Sequence, residues 1–126
     1  MNIIENREVM QRLREAFPKA YINMQIEIII YPARNSYFLL ADVETELELK
    51  AKVLEWLSRE ACKSISRQSQ KYHLVGINRF LATDFSRDEM ELIYTYLGNR
   101  CNHAKTLDFI ENGYDFRVLT DKHSQP

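Results

Sequence analysis

The strongest constraint on the fold is a helix start at residues 86–89. Ser86 is a predicted N-cap and Glu89 follows three residues later, the capping-box spacing in which each side chain accepts a hydrogen bond from the other residue's amide. Apolar residues follow at helical spacing, and Gly98 is placed to end the helix as its C′ residue. The sequence therefore predicts a helix over 86–98, with a core-facing side formed by Met90, Ile93, Tyr94 and Leu97.

Two helices are predicted in the first half of the chain. Residues 1–17 carry apolar side chains at helical spacing, and Pro18 ends the run. A longer helix is predicted over 42–61, with Asp42 as its N-cap and Trp56, the single tryptophan, at the edge of the core. Acidic and basic residues spaced four apart on its outer side predict ion pairs of Glu46 with Lys50, Glu48 with Lys52, and Glu55 with Arg59.

Helices are also predicted on both sides of residues 86–98. The one before contains Gly76, which predicts a close helix crossing because glycine has no side chain to keep a neighbour away. The one after begins at Asn102 as its N-cap and ends at Gly113, and Asp115 is placed to cap a final turn. Its predicted inward side consists of Ala104, Leu107 and Ile110.

The segment before the long helix has the pattern of strands. Ile26, Ile28 and Ile30 alternate with other residues, and β-branched side chains favour strands. Residues 32–35 are a turn signal, and 36–40 are a predicted return strand. The predicted fold class is mostly α, formally α+β, with about five helices and one N-terminal β-hairpin in a single compact domain. Its predicted parts are an N-terminal helix at 1–18, the hairpin at 22–40, a helical core at 42–119 and a frayed tail at 120–126.

Length and charge narrow the classes of function. The chain has 126 residues, a common size for one domain, and its 17 basic and 18 acidic residues give a net charge of −1. That balance argues against a strongly basic nucleic-acid binder and against an acidic DNA mimic, so either role needs a local patch. The N-terminal sequence lacks the layout of a signal peptide, and the apolar runs are too short to span a bilayer. We therefore expect a cytoplasmic protein in which Cys62 and Cys101 are reduced.

One local patch is basic and suggests nucleic-acid binding as an alternative function. If the backbone were helical throughout, cations spaced by four would share one edge that follows phosphates, with Tyr72 stacking on a base. The serine-rich residues 63–69 are either a loop or a helix start, and a loop leaves only a solvated charged face. The predicted nucleic-acid-binding residues are Arg59, Lys63, Arg67, Lys71 and Arg79.

Residues 93–107 also have the layout of a helix-turn-helix motif. Tyr94 falls where that motif usually has a small residue, and Asp108 and Glu111 on the second helix would repel phosphates. An antiparallel helical hairpin explains the same pattern without DNA. The plain hairpin is therefore the favoured interpretation of this segment.

Residues that carry chemistry are few and poorly spaced. Cys62, His73, Cys101 and His103 are potential metal ligands, but their spacing matches no familiar zinc site. The sequence has no Gly-rich phosphate loop, nucleophile elbow or metalloprotease helix. Because side chains two residues apart on a helix diverge, His103 is badly placed to activate Cys101. We therefore predict no enzyme activity, no metal and no cofactor.

Protein binding is the leading prediction after these eliminations. The turn at 99–103 is polar and short, and the predicted hairpin edge adds the aromatic and arginine side chains that dominate interface energies. The same edge could pair two copies of the chain, so a structural homodimer is a further alternative. The predicted partner-binding residues are Tyr31, Arg34, Tyr37, Asn99, Arg100, Asn102 and His103.

Three strings in the chain resemble one protein family. They are VLEWLSR at 53–59, IYTYLGN at 93–99 and ENGYD at 111–115, within a pattern that runs from the aromatic pair at 37–38 to residue 119. The chain is similar there to small proteins encoded by phages and prophages of Gram-positive Firmicutes. The resemblance implies a phage accessory protein in the bacterial cytoplasm that binds and modulates a host or phage protein, including a defence nuclease of the CRISPR type. It carries over no activity and no functional residues.

Overall fold

The described part of the chain is mainly helical, in agreement with the predicted mostly α class. The computed structural model describes residues 6–18, 21–23, 27–31, 36–39, 44–64, 66–100 and 102–120. The α-helices are α1 (Asn6–Ala16), α2 (Glu46–Lys52), α3 (Ser58–Lys63), α4 (Arg67–Leu81), α5 (Arg87–Ile93), α6 (His103–Glu111) and α7 (Arg117–Thr120). Two π-helical segments are π1 (Val53–Leu57), which follows α2, and π2 (Tyr94–Gly98), which follows α5. Within these ranges, no helix has the length and apolar character needed to cross a membrane.

Three short strands lie between α1 and α2. They are β1 (Tyr21–Asn23), β2 (Glu27–Tyr31) and β3 (Ser36–Leu39), and they form an antiparallel sheet in that order. Ile28 of the central strand pairs with Ile22 on one side and with Phe38 on the other. The predicted turn at 32–35 lies outside the described residues, so the hairpin as a complete unit stays a prediction.

The segments α2, π1 and α3 follow one another without a break and form one helical rod. Thr45 caps the rod, because its hydroxyl accepts a hydrogen bond from the Glu48 amide at 3.2 Å. The predicted cap at Asp42 is wrong, since the helix begins only at Glu46 and Asp42 lies outside the described residues. Thr45 and Glu48 have the same three-residue spacing as a capping box, and this local pairing decides where the helix starts.

A short break separates α3 from α4. Ser64 leaves the helical conformation with a ψ of 157°, and the Ser66 side chain starts α4 by accepting an amide hydrogen bond at 3.1 Å. Further along α4, a Cβ added at Gly76 would lie 2.9 Å from the Ala16 carbonyl oxygen and would collide with the Phe17 ring. The close crossing predicted at Gly76 is therefore confirmed, and it holds α4 against the end of α1.

The helix that opens at Ser86 has the predicted start and a different end. Ser86 accepts from the Glu89 amide at 3.1 Å and the Glu89 carboxylate accepts from the Ser86 amide at 2.8 Å, so the capping box is confirmed. Gly98 is not the predicted C′ residue, because it lies inside π2 and Asn99 follows in the right-handed conformation. Its missing side chain serves packing instead, since an added Cβ would lie 2.8 Å from Ser58 Oγ.

The last two helices have the caps that the sequence predicts. The Asn102 side chain accepts from the Lys105 amide at 3.1 Å and starts α6. The Asp115 carboxylate accepts from the Arg117 amide at 2.9 Å and starts α7. Between them Gly113 has a φ of 69°, a left-handed conformation that glycine adopts without steric cost and that ends α6. The polar residues at these positions therefore set the limits of both elements.

The inward side of α6 agrees with the prediction at Ile110, which is buried, and differs from it elsewhere. Ala104 is exposed and Leu107 is only half-buried, whereas Thr106 and Phe109 are fully buried. The Phe109 ring removes far more apolar surface from water than Ala104 would. The buried Thr106 hydroxyl is satisfied by donating to the Asn102 carbonyl oxygen at 2.9 Å. Packing of the ring thus fixes the rotation of α6 about its axis.

The core lies between the rod and helices α1, α4, α5 and α6. Its largest fully covered side chains are Leu13, Phe17, Leu49, Leu54, Leu57, Ile77, Met90, Ile93, Leu97 and Phe109. An aromatic group of Phe85, Phe109, Tyr114 and Phe116 joins the C-terminal turn to this core, with ring centroids 5.3 to 6.3 Å apart. Both π-helical segments are therefore mounted on a packed scaffold.

Candidate binding cavity

A cavity of about 420 Å³ lies where the rod, π2 and the start of α6 meet. It is lined by Glu48, Lys52, Glu55, Trp56, Arg59, Gly98 and His103. The strings VLEWLSR and IYTYLGN contain the two π-helical segments that border it. π-helical turns are rare in proteins, and those that do occur are often found at functional sites. This cavity is therefore the leading candidate for a binding site.

His103 bridges two carboxylates at this cavity. Its Nδ1 lies 2.8 Å from Glu55 Oε2, and its Nε2 lies 3.3 Å from Glu48 Oε2. A histidine that donates from both ring nitrogens is an imidazolium, because the neutral ring has only one N–H. The bridge ties the first residue of α6 to both α2 and π1.

The two carboxylates favour the charged form of His103. The hydrogen bond to Glu55 raises the pKa of His103 above its usual value, and Glu48 adds to the rise. Partial burial opposes the rise, because burial disfavours a charge. The cavity therefore keeps its imidazolium to a higher pH than a free histidine would.

Lys52 and Arg59 have no ion-pair partner among the described residues. The predicted pairs of Glu48 with Lys52 and of Glu55 with Arg59 do not form. Both carboxylates turn to His103 instead, and Glu55 lies in π1, where the wider turn departs from the α-helical spacing that the prediction assumed. Two cations are thus left at the cavity without a carboxylate partner in the described part of the chain.

Trp56 gives the cavity its apolar surface. The side chain is 41% exposed, so the predicted position at the edge of the core leaves much of the ring facing solvent. Among the described residues, Val75 at 43% and Leu92 at 39% are the other large apolar side chains with comparable exposure, and neither lines this cavity. An exposed indole beside an arginine is the combination found in interface hot spots.

A close contact between π1 and π2 holds the cavity lining in place. A Cβ added at Gly98 would lie 3.0 Å from the Glu55 carbonyl oxygen and 2.8 Å from Ser58 Oγ. Ser58 is fully buried, and its hydroxyl finds no hydrogen-bond partner within the described part of the chain. Because the backbones meet directly here, the positions of Glu55 and Trp56 are set by the scaffold.

The predicted partner-binding residues are only partly gathered at this cavity. Asn99 and Arg100 are exposed at the end of π2, next to the cavity, whereas the Asn102 side chain is occupied as the cap of α6. His103 lines the cavity. Arg34 lies outside the described residues, and for Tyr31 and Tyr37 only the strand backbone is described. Binding or dimerisation through the strand edge therefore stays a prediction.

The predicted basic stripe is divided among separate places. Arg59 and Lys63 lie on α3, and the break at Ser64 separates them from the cations of α4, so they do not share one helical edge. Arg59 lines the Trp56 cavity, while the Lys63 ammonium lies 5.9 Å from the centre of the Tyr94 ring. The stripe as a single track for phosphates is therefore not present, and only its α4 part remains together.

The α4 cations border two smaller cavities. Arg67 and Lys71 share a cavity of about 290 Å³ with Arg87, whose guanidinium donates to Gln70 at 3.1 Å. Lys71 also lines a second cavity of about 400 Å³ together with Arg79. Tyr72, predicted to stack on a base, instead packs edge-on against the Phe17 and His73 rings, at centroid distances of 6.1 and 5.0 Å. A basic surface therefore exists on α4, but the Tyr72 ring packs against neighbouring rings of the protein.

Other residues singled out from the sequence do not assemble into a reactive site. No three His, Cys, Asp or Glu residues within the described ranges form a group that could hold a metal. Burial raises the pKa of the Cys62 thiol to about 11, and Glu91 adds to the rise while Lys63 and Arg87 oppose it. Cys101 lies outside the described residues. Asp108 and Glu111 are exposed on α6, where their negative charges would repel phosphates.

Sequence reasoning missed most of the Trp56 cavity. It selected His103 and Arg59 for different reasons, and it assigned Glu48 and Glu55 to surface ion pairs. The usable signal was the set of charged residues on both sides of Trp56. Whether these side chains pair with each other or line a cavity depends on π1, which the sequence did not reveal. Arg87 was also missed, because its place beside Arg67 and Lys71 follows from the packing of α5 against α3 and from its hydrogen bond to Gln70 of α4.

Comparisons with protein-family models, curated proteins and solved structures yield no match to this chain.

Proposed function

We propose that this chain is a non-enzymatic protein-binding domain and that the Trp56 cavity is its binding site. One observation carries the proposal: a 41% exposed tryptophan stands beside Lys52 and Arg59, which no described carboxylate pairs. A few tryptophan, tyrosine and arginine residues usually supply most of the energy of a protein interface. The backbone of π1 packs directly against Gly98, which holds these side chains in place before a partner binds. Binding therefore loses little conformational entropy.

The size and chemistry of the cavity suit recognition. Its volume of about 420 Å³ falls within the roughly 300–1,000 Å³ of ligand pockets, which leaves room for a protruding side chain of a partner. Among the described residues, its lining contains no hydroxyl or thiol side chain. His103 already engages two carboxylates, so its nitrogens serve to position Glu48 and Glu55.

The resemblance to phage and prophage proteins supports the biological side of the proposal. Under that resemblance the partner is a host or phage protein in the cytoplasm of a Gram-positive bacterium, and the chain modulates it on binding. Host defence nucleases are the partners to examine first, because an inhibitor of such an enzyme needs a binding surface and no chemistry of its own. This part of the proposal rests on context and is separable from the cavity.

Affinity capture with matched variants tests the site. Wild-type protein, Trp56→Ala and Leu92→Ala are each immobilised and exposed to lysates of several Firmicute hosts, with and without phage infection. Leu92 is the control because it is 39% exposed and lies outside the cavity lining. We expect partners that bind the wild type and Leu92→Ala equally and bind Trp56→Ala about tenfold more weakly, the scale of one hot-spot residue.

Two results would count against the proposal. Equal capture by Trp56→Ala and the wild type would place the binding surface elsewhere on the molecule. The absence of any partner that distinguishes the variants, across all lysates, would remove the proposed function. Circular dichroism spectra of the three proteins ensure that a loss of capture does not reflect unfolding.

Nucleic-acid binding on α4 is the second candidate, and one specific observation favours it. The 15 residues of α4 include three exposed cations and no aspartate or glutamate. Arg67 and Lys71 share their cavity with Arg87, so the positive charge is concentrated between two helices. Phosphate contacts of this kind are independent of base sequence and weaken steeply with salt.

A mobility shift with DNA and RNA at low salt tests this candidate. The double variant Arg67→Ala/Lys71→Ala should abolish the shift, whereas Lys50→Ala on α2 should have little effect. Each lost phosphate contact should also reduce the salt slope by about 1. A complete lack of binding at micromolar protein in 50 mM salt would end this candidate.

A further inference from the structure

The charged side chains that line the Trp56 cavity fall into two groups: the carboxylates pair with His103, and two cations have no described ion-pair partner. The two acidic side chains both face His103, and Glu55 is the better covered of them, with 13% of its side chain exposed. The carboxylate oxygens closest to the imidazole ring lie 2.8 and 3.3 Å from its nitrogens. What remains for an incoming ligand is the pair of cations, Lys52 and Arg59.

These cations flank the tryptophan on the helical rod. Lys52 precedes Trp56 by four residues and Arg59 follows it by three, so both lie on the side of the rod that carries the indole. Arg59 is exposed and Lys52 is half-buried. An apolar surface framed by two positive charges that no described carboxylate pairs complements a ligand that is apolar at its centre and negative at its edges.

We propose that the cavity takes an acidic segment of a partner protein, with an apolar or aromatic side chain placed against Trp56 and carboxylates placed against Lys52 and Arg59. This inference rests on the proposed function and specifies the kind of partner surface that the site recognises. Arginine binds carboxylates with two parallel hydrogen bonds, and an aromatic side chain stacks well on an indole. Arg59 therefore matches the acidic part of the segment, and Trp56 matches its apolar part.

In this arrangement His103 is a positioning residue that keeps the cavity's own carboxylates away from the cations. The imidazolium donates to both Glu48 and Glu55, whereas a neutral ring can donate to only one of them. The more distant carboxylate, that of Glu48, is then released; it lies four residues before Lys52 on α2 and competes with the ligand for that cation. The affinity for an acidic segment therefore falls as the pH rises through the pKa of His103.

The groups that govern this titration all line the same cavity. Glu48 and Lys52 face it from α2, Glu55 from π1 and Arg59 from α3. The shift in the pKa of His103 arises from the two carboxylates, opposed by partial burial. Among the described lining residues, deprotonation thus changes the charges from three positive and two negative groups to two of each.

Panning a display library of random peptides identifies the ligand class directly. Wild-type protein is panned with prior depletion on Trp56→Ala, so that retained peptides depend on the cavity. We expect retained peptides to carry an aromatic or large apolar residue with glutamate or aspartate close by. Lys52→Ala and Arg59→Ala should each weaken the best peptide about fivefold, the scale of one partly exposed charge interaction.

The outcomes separate this inference from the proposed function. Retained peptides that are uncharged or basic would overturn the acidic ligand class while leaving protein binding at the cavity intact. No retained peptide would count against both. An oligothymidylate that displaces the acidic peptide and binds more tightly than it would overturn the inference in favour of a phosphate ligand.

Fluorescence of the single tryptophan then tests the role of His103. The emission of Trp56 is titrated with the best peptide, chosen to lack histidine and tryptophan, between pH 5.5 and 8.5. We expect the affinity of the wild type to fall about fivefold over this range. His103→Gln should bind with a weak affinity that does not depend on pH. A wild-type affinity that is constant or rises with pH would overturn the role assigned to His103, and equal pH profiles for both proteins would do the same.

Discussion

At the scale of single residues, the charge of His103 depends on the two carboxylates beside it. It stands at the start of α6, where the helix dipole disfavours a cation, yet two carboxylates from the rod hold its proton. The same contact that positions Glu48 and Glu55 therefore links the stability of the fold to pH. The ring is 45% exposed, so solvent screens much of this interaction.

The direction of that linkage is a first prediction. Because the pKa of His103 is raised in the folded state, its stabilising contribution is complete below the unfolded value of about 6.5 and is lost as the pH rises through the raised folded value. His103→Ala should lower the free energy of unfolding by about 0.5 kcal/mol at pH 5.5 and by less at pH 8.5. Urea denaturation of both proteins measures the difference. A deficit that grows with pH would contradict the bridge.

Cys62 provides a second prediction at this scale. With a pKa of about 11, its thiolate is scarce at pH 8, roughly a hundredfold less populated than that of a free cysteine. Iodoacetamide should therefore modify Cys62 far more slowly than N-acetylcysteine, and peptide mapping by mass spectrometry separates it from Cys101. Modification of Cys62 at the rate of the free thiol would show that the thiol is not held in the half-buried position described.

At the scale of elements, the contact between π1 and π2 is the feature on which the cavity depends. Gly98→Ala should cost roughly 1–3 kcal/mol, because the new methyl group meets Ser58 Oγ and the Glu55 backbone. Ser58→Ala should be nearly neutral, since the hydroxyl it removes is buried and has no partner among the described residues. The double variant should be more stable than the sum of the two effects implies, because removal of Oγ makes space for the methyl group. Strict additivity in urea denaturation would contradict the contact.

The end of α4 gives an element-scale prediction with a control. Ala82 has a φ of 57° and ψ of 47°, the left-handed conformation that costs an L-residue about 1–2 kcal/mol. Ala82→Gly should therefore stabilise the protein by about 0.5–1 kcal/mol, after the extra entropy of a glycine in the unfolded chain is subtracted. Ala104→Gly, at an exposed and right-handed position of α6, should destabilise it by a similar amount. Destabilisation by both changes would refute the left-handed cap.

The elements also show which parts of the fold can be predicted from sequence. Helix starts at Ser86, Asn102 and Asp115 were predictable, because a capping side chain acts on an amide only two or three residues away. The start at Thr45 was missed because Asp42 is an equally good cap in isolation. The inward side of α6 was missed for a different reason, since apolar spacing alone does not decide between Ala104 and the neighbouring row that contains Phe109.

The π-helical segments lie beyond local prediction. The sequence of π1 is compatible with a plain α-helix, and the wider turn becomes visible only where the rod meets Gly98. The candidate site inherits this limit. His103 could be selected as a polar residue in a turn, but its engagement of Glu48 and Glu55, and the resulting freedom of Arg59, require the tertiary structure.

At the scale of the whole molecule, the net charge is −1, but the Trp56 cavity and α4 form two surfaces with different arrangements of charge. The Trp56 cavity places two cations around an indole and satisfies its carboxylates internally, whereas α4 has cations alone. The cavity combines apolar area with charge, which favours a protein partner, while α4 offers charge with little exposed apolar surface besides Val75. We therefore expect binding to take place at the first of these surfaces, the Trp56 cavity.

The most direct test is a map of backbone amide shifts in ¹⁵N-labelled protein titrated with the best panned peptide. Binding at the cavity predicts that the largest shifts cluster over 52–59 and at Gly98 and His103, with α4 unaffected. The same titration of Trp56→Ala should show no saturable shifts at these positions. Shifts that cluster instead at Arg67, Lys71 and Arg79, with the cavity residues unchanged, would contradict the claim.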